Sequence, residues 1–198
     1  MWIITCGSSE PSLHQAQGDL MRGRGNGDLF VRKYSDDPAR REGEEQCVRD
    51  VAESGTHVLR VHGDSDWPEF AYTIGLFETF RHPELILLGL PAERAHRLLN
   101  DARELIRGGL VFRDGEETDA LLEGASVAAR AVPSDQCDAH FGWAAWYYGG
   151  EAFPALQLVW PSRARRFPWD ADATDAYRLA QPVLADVPLP EWARRAPG

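Results

Sequence analysis

Four side chains in the first half of the sequence could carry out acid–base chemistry: Tyr72, Thr73, His82 and Glu84. A histidine titrates near neutral pH, and a carboxylate two residues away could complete a general base or a proton relay. Pro83 favours an extended backbone at His82, at the boundary between a loop and a strand, where catalytic groups are often displayed. Tyr72 and Thr73 point to opposite faces of one predicted strand, so only one of them could line a given pocket. The alternative, which we favour, is that His82 and Glu84 cap a turn and hold a sheet edge by hydrogen bonds.

Aromatic side chains in the second half of the sequence could bind a ligand, although such residues also build ordinary cores. Arg163, Arg165 and Arg166 lie beside them and could recognise a phosphate or a carboxylate, unless they belong to a solvated loop. Gln157 interrupts an apolar strand, so it needs partners if it is buried. It could hold the loop from 160 to 169, which we prefer, or bind a ligand amide. The candidate ligand-binding residues are Trp146, Gln157, Trp160, Arg163, Arg166 and Trp169.

Metal ligands are scattered along the sequence. His57 and His62 are five residues apart on a predicted strand, so they face opposite sides. Cys137 and His140 could share one helix face, but zinc needs three or four ligands and nothing nearby supplies the rest. The three cysteines form no CxxC pair, which favours reduced thiols in a cytoplasm. We therefore expect no metal and, since no cofactor motif is present, no cofactor.

The composition excludes several classes of protein. The formal net charge is −10 at pH 7, which argues against a surface for nucleic acid or for an anionic membrane. Lys33 is the only lysine, so the predicted folded body has no amine for a Schiff base or a phosphate-binding loop. No apolar run reaches the roughly 20 residues of a membrane span, and the N-terminus lacks the pattern of a secretory signal. These features predict a cytoplasmic protein.

Hydrophobic periodicity and turn residues indicate the elements that would position these side chains. Helices are predicted at 44–54, 91–107 and 138–148. Strands are predicted at 56–62, 70–76, 85–90, 110–113, 126–132 and 155–160. The pattern therefore predicts an α+β fold, with a mostly antiparallel sheet of about five to six strands and two to three packed helices.

Charge, glycine and proline divide the sequence into three parts. Residues 1–43 are polar and glycine-rich without a period, and predict a flexible leader or a start site placed too early. Residues 44–170 predict a single α+β domain. Residues 171–198 hold four prolines and predict an extended or poorly ordered tail.

Several short sequence motifs of the predicted domain occur in a recognisable order. They are FAYTIGL at 70–76, HPEL at 82–85, GLP at 89–91, AHRLLN at 95–100, QLVWP at 157–161 and FPWD at 167–170. Together they resemble the bacterial family called domain of unknown function 4262, over roughly residues 45–170. Ser162 departs from the family's pattern, which tends to have an aspartate there, so any role of that acid would be absent. The resemblance implies a compact bacterial domain, often encoded alone, and no established chemistry.

The sequence therefore predicts a binding domain whose aromatic pocket holds a small molecule, a peptide or a protein partner. It predicts no nucleic-acid or membrane partner and no particular oligomeric state. The alternative is a small hydrolytic or acid–base enzyme that uses His82 and Glu84, assisted by Tyr72 or Thr73. The alternative requires His82 to lie within hydrogen-bond reach, directly or through one water, of a carboxylate or hydroxyl at a concave site.

Overall fold

The computed structural model describes residues 20–22, 29–65 and 67–188 of the chain. The strands are β1 (Leu20–Arg22), β2 (Leu29–Val31), β3 (His57–Val61), β4 (Phe70–Ile74), β5 (Glu84–Leu88), β6 (Glu117–Leu122), β7 (Ala125–Ala131) and β8 (Ala155–Val159). The helices are α1 (Pro38–Ser54), α2 (Leu76–Phe80), α3 (Ala92–Arg107), α4 (Ser134–His140), α5 (Gly142–Tyr147) and α6 (Asp175–Ala180). Within these residues, no helix combines the length and the apolar character that crossing a membrane requires.

Six of the strands form one mixed sheet in the order β3-β4-β5-β8-β7-β6. Neighbouring strands are antiparallel except for β5 and β8, which run parallel. β1 and β2 pair separately as a short antiparallel hairpin. The predicted α+β class and mostly antiparallel sheet are therefore confirmed. The described residues form six helices, which is more than the two to three predicted.

Helices cover both faces of the sheet. The buried stripe of α3, including Leu98 and Leu99, packs with Ala71 and Leu85 on one face. Residues of α1, α4 and α5 pack with Tyr72 and its neighbours on the other face. All five residues of β4, β5 and β8 are buried because these central strands have packed layers on both sides.

The structure differs from the sequence prediction at three places. Residues 110–113, predicted as a strand, form no regular element, and the edge strand β6 lies a few residues later. The aromatic helix predicted at 138–148 is instead two short helices, because the backbone leaves the helical conformation at Phe141. α2 had no counterpart in the prediction. It is a single turn that follows Gly75, whose φ of 104° is a left-handed conformation that favours glycine.

The segment before residue 44 contributes to the folded body from Arg32 onwards. α1 begins at Pro38 rather than at 44, with Asp37 accepting a hydrogen bond from the Arg40 N–H as its N-cap. The Arg32 guanidinium lies 4.0 Å from the centre of the Tyr147 ring and is buried. Residues 32–43 therefore pack as part of the body, whereas most of the predicted leader, with Cys6, lies outside the described residues.

The segment after residue 170 also packs against the sheet. α6 is capped by Thr174, whose side chain accepts a hydrogen bond from the Tyr177 N–H. Val183 and Leu184 are buried beyond α6. An extended tail was expected here because of its prolines, but the described part, up to residue 188, is compact. The division of the chain into leader, domain and tail stays a prediction.

Candidate functional site

Glu84, the first residue of β5, is fully buried and accepts four hydrogen bonds. The Thr73 hydroxyl donates to Oε2 at 2.6 Å, and the backbone N–H groups of Gly75 and Phe77 donate to Oε1 at 2.9 and 3.1 Å. The Tyr148 hydroxyl makes a short hydrogen bond to the same oxygen. Glu84 therefore joins β4, the first turn of α2 and the residue that follows α5.

Burial dominates the electrostatics of this cluster. It raises the pKa of Glu84, because a buried carboxylate loses its hydration, while the hydrogen bonds from Thr73 and Tyr148 oppose the shift. Burial, and then the Glu84 carboxylate, raise the pKa of the Tyr148 hydroxyl above its usual range. A carboxylate with four donors and no exposed surface is suited to holding three elements together rather than to exchanging protons with a substrate.

His82 is buried, and both of its ring nitrogens contact the backbone. Nδ1 lies 2.7 Å from the Pro83 carbonyl, and Nε2 lies 3.0 Å from the backbone nitrogen of Phe112. Because a carbonyl only accepts and an N–H only donates, Nδ1 carries the proton and the ring is neutral. Burial lowers the pKa of His82, which agrees with a neutral ring. Both positions that a general base would use are therefore engaged.

The four predicted catalytic residues lie in three settings rather than in one. Thr73 and Glu84 are hydrogen-bonded, whereas the hydrogen bonds described for His82 go only to backbone. Tyr72 lies on the other face of β4, as the alternation of the strand predicts. Its hydroxyl accepts a hydrogen bond from the Trp143 N–H at 3.1 Å, and burial raises the pKa of that hydroxyl. No described hydrogen bond joins His82 directly to a carboxylate or a hydroxyl.

The predicted ligand-binding residues are also spread over separate places. The Trp146 indole donates to the Lys33 carbonyl at 2.8 Å, next to the N-terminal segment. The Trp160 indole donates to the Leu88 carbonyl at 2.9 Å, at the end of β5. Both indoles are half-buried and use their polar tips on the backbone of this chain. They do not share an aromatic pocket.

Gln157 is buried and serves the C-terminal segment. Its amide nitrogen donates to the Pro182 carbonyl at 2.8 Å, and its carbonyl accepts from the Leu184 N–H at 2.8 Å. The preferred interpretation, a structural role, agrees with this geometry. The partner differs from the prediction, because Gln157 holds residues 182–184 rather than the loop from 160 to 169.

The remaining candidates lie on the exposed loop that follows β8. Arg163 is exposed, and Arg166 is paired with Asp172 at 2.8 Å. Trp169 is 42% exposed and stacks on Phe167, with ring centres 4.9 Å apart. Arg130, from β7, places its guanidinium 5.2 Å from the centre of the Trp169 ring. Trp169 therefore faces solvent, as a contact surface would, whereas Phe167 beneath it is buried.

A cleft of about 490 Å³ lies beside this loop, and we call it the hairpin cleft. Its lining includes Glu117, Asp119, Glu123, Pro161, Arg165 and Phe167. The three carboxylates are exposed, and none of them forms an ion pair with another described residue. Its volume is in the range of small-molecule pockets. The sequence prediction assigns no element to residues 114–125 and singles out none of these acids, which lie on β6 and in the turn after it.

A second cleft, of about 340 Å³, lies on the other side of β6, and we call it the loop cleft. Leu110, Val111 and Phe112 line it, together with Thr118 and Ala129. Val111 is 45% exposed, although it is apolar. The hydrogen bond from the Phe112 N–H to His82 fixes this wall of the cleft. His82 is therefore a positioning residue for a cleft wall.

Three of the possible metal ligands are engaged in other contacts, with His57 paired to Asp50 at 2.7 Å. The Cys137 thiol lies 3.8 Å from the Val132 carbonyl, and burial raises its pKa to about 11. Nδ1 of His140 lies 2.9 Å from the Gln136 carbonyl. Across residues 20–22, 29–65 and 67–188, no three or more His, Cys, Asp or Glu side chains form a group that could hold a metal ion.

The model of a family described as "Domain of unknown function (DUF4262)" matches residues 50–174. The chain belongs to this family. Searches of the curated proteins and of the solved structures found no match. The DUF4262 match begins within α1 and ends just before α6, so it includes the whole six-stranded sheet and α3.

Both clefts of this DUF4262 domain lie inside the matched segment, as does the Glu84 cluster. Gln157 and the loop from 160 to 169 are inside it too. The partners of Gln157 at 182–184 and the buried Arg32 lie outside it. The candidate site therefore belongs to the family's part of the chain, and the flanking segments contribute packing.

Proposed function

We propose that this DUF4262 domain is a binding domain and that its ligand presents a cationic group to the hairpin cleft. The observation that carries the proposal is the set of three exposed carboxylates, Glu117, Asp119 and Glu123, that share one cleft without an ion-pair partner among the described residues. Arg165 is the one basic residue in the same lining, so the cleft stays negative. The net charge of −10 adds a long-range attraction for cations.

The apolar part of the cleft suits the body of such a ligand. Phe167 and Pro161 line it beside the acids. Trp169, stacked on Phe167, extends the aromatic surface towards solvent. A ligand with an apolar stem and a basic head would contact both kinds of surface, as the long side chains of arginine and lysine do. The ligand is thus a small basic molecule, or a basic peptide of a partner protein, and neither nucleic acid nor membrane.

Binding is supported over catalysis by the state of the predicted acid–base residues. His82 uses both nitrogens on backbone groups, and Glu84 is buried beneath four donors. Neither residue lines the hairpin cleft or the loop cleft. An enzyme that used them would have to open the fold first. The acid–base alternative therefore has no specific support from the geometry.

We further propose that the domain works in the cytoplasm of a bacterium. The Cys137 thiol is buried, with its hydrogen bond directed to a backbone carbonyl, which suits a reducing compartment. The near-complete use of arginine in place of lysine is typical of a GC-rich bacterial genome.

The proposal is tested by NMR titration of the ¹⁵N-labelled full chain with N-acetylarginine amide, and with N-acetylglutamate as the anionic comparison. We expect the arginine compound to shift amide signals of 117–126 and 161–167 and the glutamate compound not to. The triple variant Glu117→Gln, Asp119→Asn, Glu123→Gln should lose the response. Glu53→Gln, an exposed acid on α1 at the opposite edge of the sheet, should keep it. Equal responses in all three proteins would reject the hairpin cleft as the site.

A further inference from the structure

β6 is the outermost strand of the six-stranded sheet. In the described part of the chain it has a neighbouring strand, β7, on one side only. On the open side of an edge strand, backbone N–H and C=O groups alternate and can pair with another strand. Glu117, Asp119 and Ala120 of β6 are exposed along this edge. The edge is therefore accessible to an added chain.

The two clefts lie on opposite faces of the sheet at this edge. In the pairing of β6 with β7, Thr118 lies opposite Val127 and Glu117 lies opposite Ala128. Val127 packs beneath α3, whereas Ala128 packs with Phe167 on the other face. The loop cleft, lined by Thr118, is thus on the α3 face, and the hairpin cleft is on the opposite face. Glu117 lines both clefts, because it stands at the edge between them.

We propose that β6 accepts an extended basic peptide of a partner protein as an additional strand. Successive side chains of a strand point to opposite faces, so alternate peptide side chains would enter the two clefts. Basic side chains would face the carboxylates of the hairpin cleft, and apolar ones would contact Val111 and Leu110 in the loop cleft. This inference rests on the proposed function of the hairpin cleft and specifies the class of ligand.

Charge argues for a basic partner over a second copy of this chain. Pairing two β6 strands would bring the carboxylates of Glu117 and Asp119 close to the same groups of the other copy, which is unfavourable. Each copy also carries a net charge of −10. The irregular register between Thr118 and Leu122 confines regular pairing with any added strand, a second copy included, to the Glu117 end of β6. The repulsion between like charges is therefore what favours a basic partner over a second copy.

The test uses the full chain and a blocked heptapeptide of alternating valine and arginine. A second peptide carries N-methyl groups on its three central residues, which removes the donors of a β-ladder and keeps the charge. We expect the first peptide to shift the amide signals of 117–120 and to bind at least tenfold more tightly than the methylated peptide by calorimetry. An alternating valine–glutamate peptide should not bind. The triple variant should weaken binding more than tenfold, and Glu53→Gln should leave it unchanged.

The outcomes separate this inference from the proposed function. If both basic peptides bind equally, or if only N-acetylarginine amide binds, the added strand is overturned while the cationic site stands. If neither the peptides nor N-acetylarginine amide bind, both proposals fail. Concentration-dependent dimerisation with changes at 117–120 would assign the edge to a second copy and overturn the heterologous partner.

Discussion

The ionisable groups in the centre of this sheet, around β4 and β5, and those at its β6 edge are in opposite states. Around β4 and β5, Glu84 and His82 are buried, and every polar atom of their side chains contacts another group of the protein. Around β6, the carboxylates of the hairpin cleft are exposed and lack ion-pair partners among the described residues. Buried polar groups need partners within the protein, whereas exposed ones do not. The difference suggests that the buried centre around β4 and β5 maintains the fold and that the β6 edge is available to a ligand.

The largest expected effect on stability is at Glu84, in the buried centre of the sheet. Glu84→Ala leaves the Phe77 N–H and the hydroxyls of Thr73 and Tyr148 without their acceptor, and leaves the Gly75 N–H with only its hydrogen bond to the Tyr148 hydroxyl at 3.2 Å. We expect the free energy of unfolding in urea to fall by about 3 kcal/mol or more, because each orphaned buried donor costs roughly 1–3 kcal/mol.

Two variants sharpen this comparison. Glu84→Gln keeps the shape and one acceptor oxygen, so its loss should be smaller than that of Glu84→Ala. Glu117→Ala, at the exposed β6 edge, should change the free energy of unfolding by less than about 0.5 kcal/mol. Similar losses of unfolding free energy for the Glu84 and Glu117 variants would contradict the division between the buried centre of the sheet and its β6 edge.

The second effect concerns Gln157. In Gln157→Leu, the Leu184 N–H and the Pro182 carbonyl lose their partners, and we expect a loss of about 2 kcal/mol in unfolding free energy. Exposure of residues 181–188 should rise with it, which hydrogen exchange can measure. Gln46→Leu on α1 is the control, since Gln46 is only half-buried and its hydrogen bonds are to side chains of its own helix. Unchanged exchange at 181–188 would show that Gln157 does not hold this segment.

The sequence predicted the elements that have a strong hydrophobic pattern of their own. It predicted less accurately the elements whose boundaries depend on contacts with distant parts of the chain. The stripe of α3 and the continuous apolar run of β5 were predicted because their periodicity reflects which faces are covered. The edge strand β6 was missed, because most of its residues are polar or exposed and show no apolar alternation. α1 was predicted six residues too short, since residues 38–43 are polar and their place depends on packing around Arg32 and Glu44.

Site residues were harder to predict because their partners are distant in sequence. Glu84 was a sound candidate by residue type, but the Tyr148 hydroxyl that contacts it comes from 64 residues away. The alternation of β4 did correctly separate Tyr72 from Thr73. The hairpin cleft is assembled from β6, the turn before β7 and the loop after β8, and no local pattern brings these together. Its acidic residues at 117, 119 and 123 were the available signal.

The third effect is a pH dependence that arises at His82. Its pKa is lowered from 6.5 in the folded protein by burial, so the unfolded chain binds a proton more readily. The stability that depends on the neutral ring is therefore present above about pH 6.5 and is lost as the pH falls below it. Unfolding free energies measured from about pH 7.5 to about pH 5.5 should decrease in this direction.

Two histidine variants test which side chain causes this decrease of the unfolding free energy with falling pH. The pKa of His140 is also lowered by burial, so His82→Gln and His140→Gln should each remove part of the slope. Glu84 acts with the opposite sign, because its pKa is raised and its contribution is lost as the pH rises through that pKa. A His82→Gln profile parallel to that of the unaltered protein would show that the pKa of His82 is the same in the folded and unfolded states, and would contradict this assignment.

The smallest effect on stability is expected at the hairpin cleft. The triple variant Glu117→Gln, Asp119→Asn, Glu123→Gln removes three exposed charges that have no ion-pair partner among the described residues, so its unfolding free energy should stay within about 0.5 kcal/mol of the unaltered value. The same variant should lose the response to N-acetylarginine amide. Binding lost without stability lost is what distinguishes a ligand site from a structural cluster. A large loss of stability would instead mean that these carboxylates stabilise the β6–β7 hairpin. The contrast between the buried centre of the sheet and its β6 edge would then disappear.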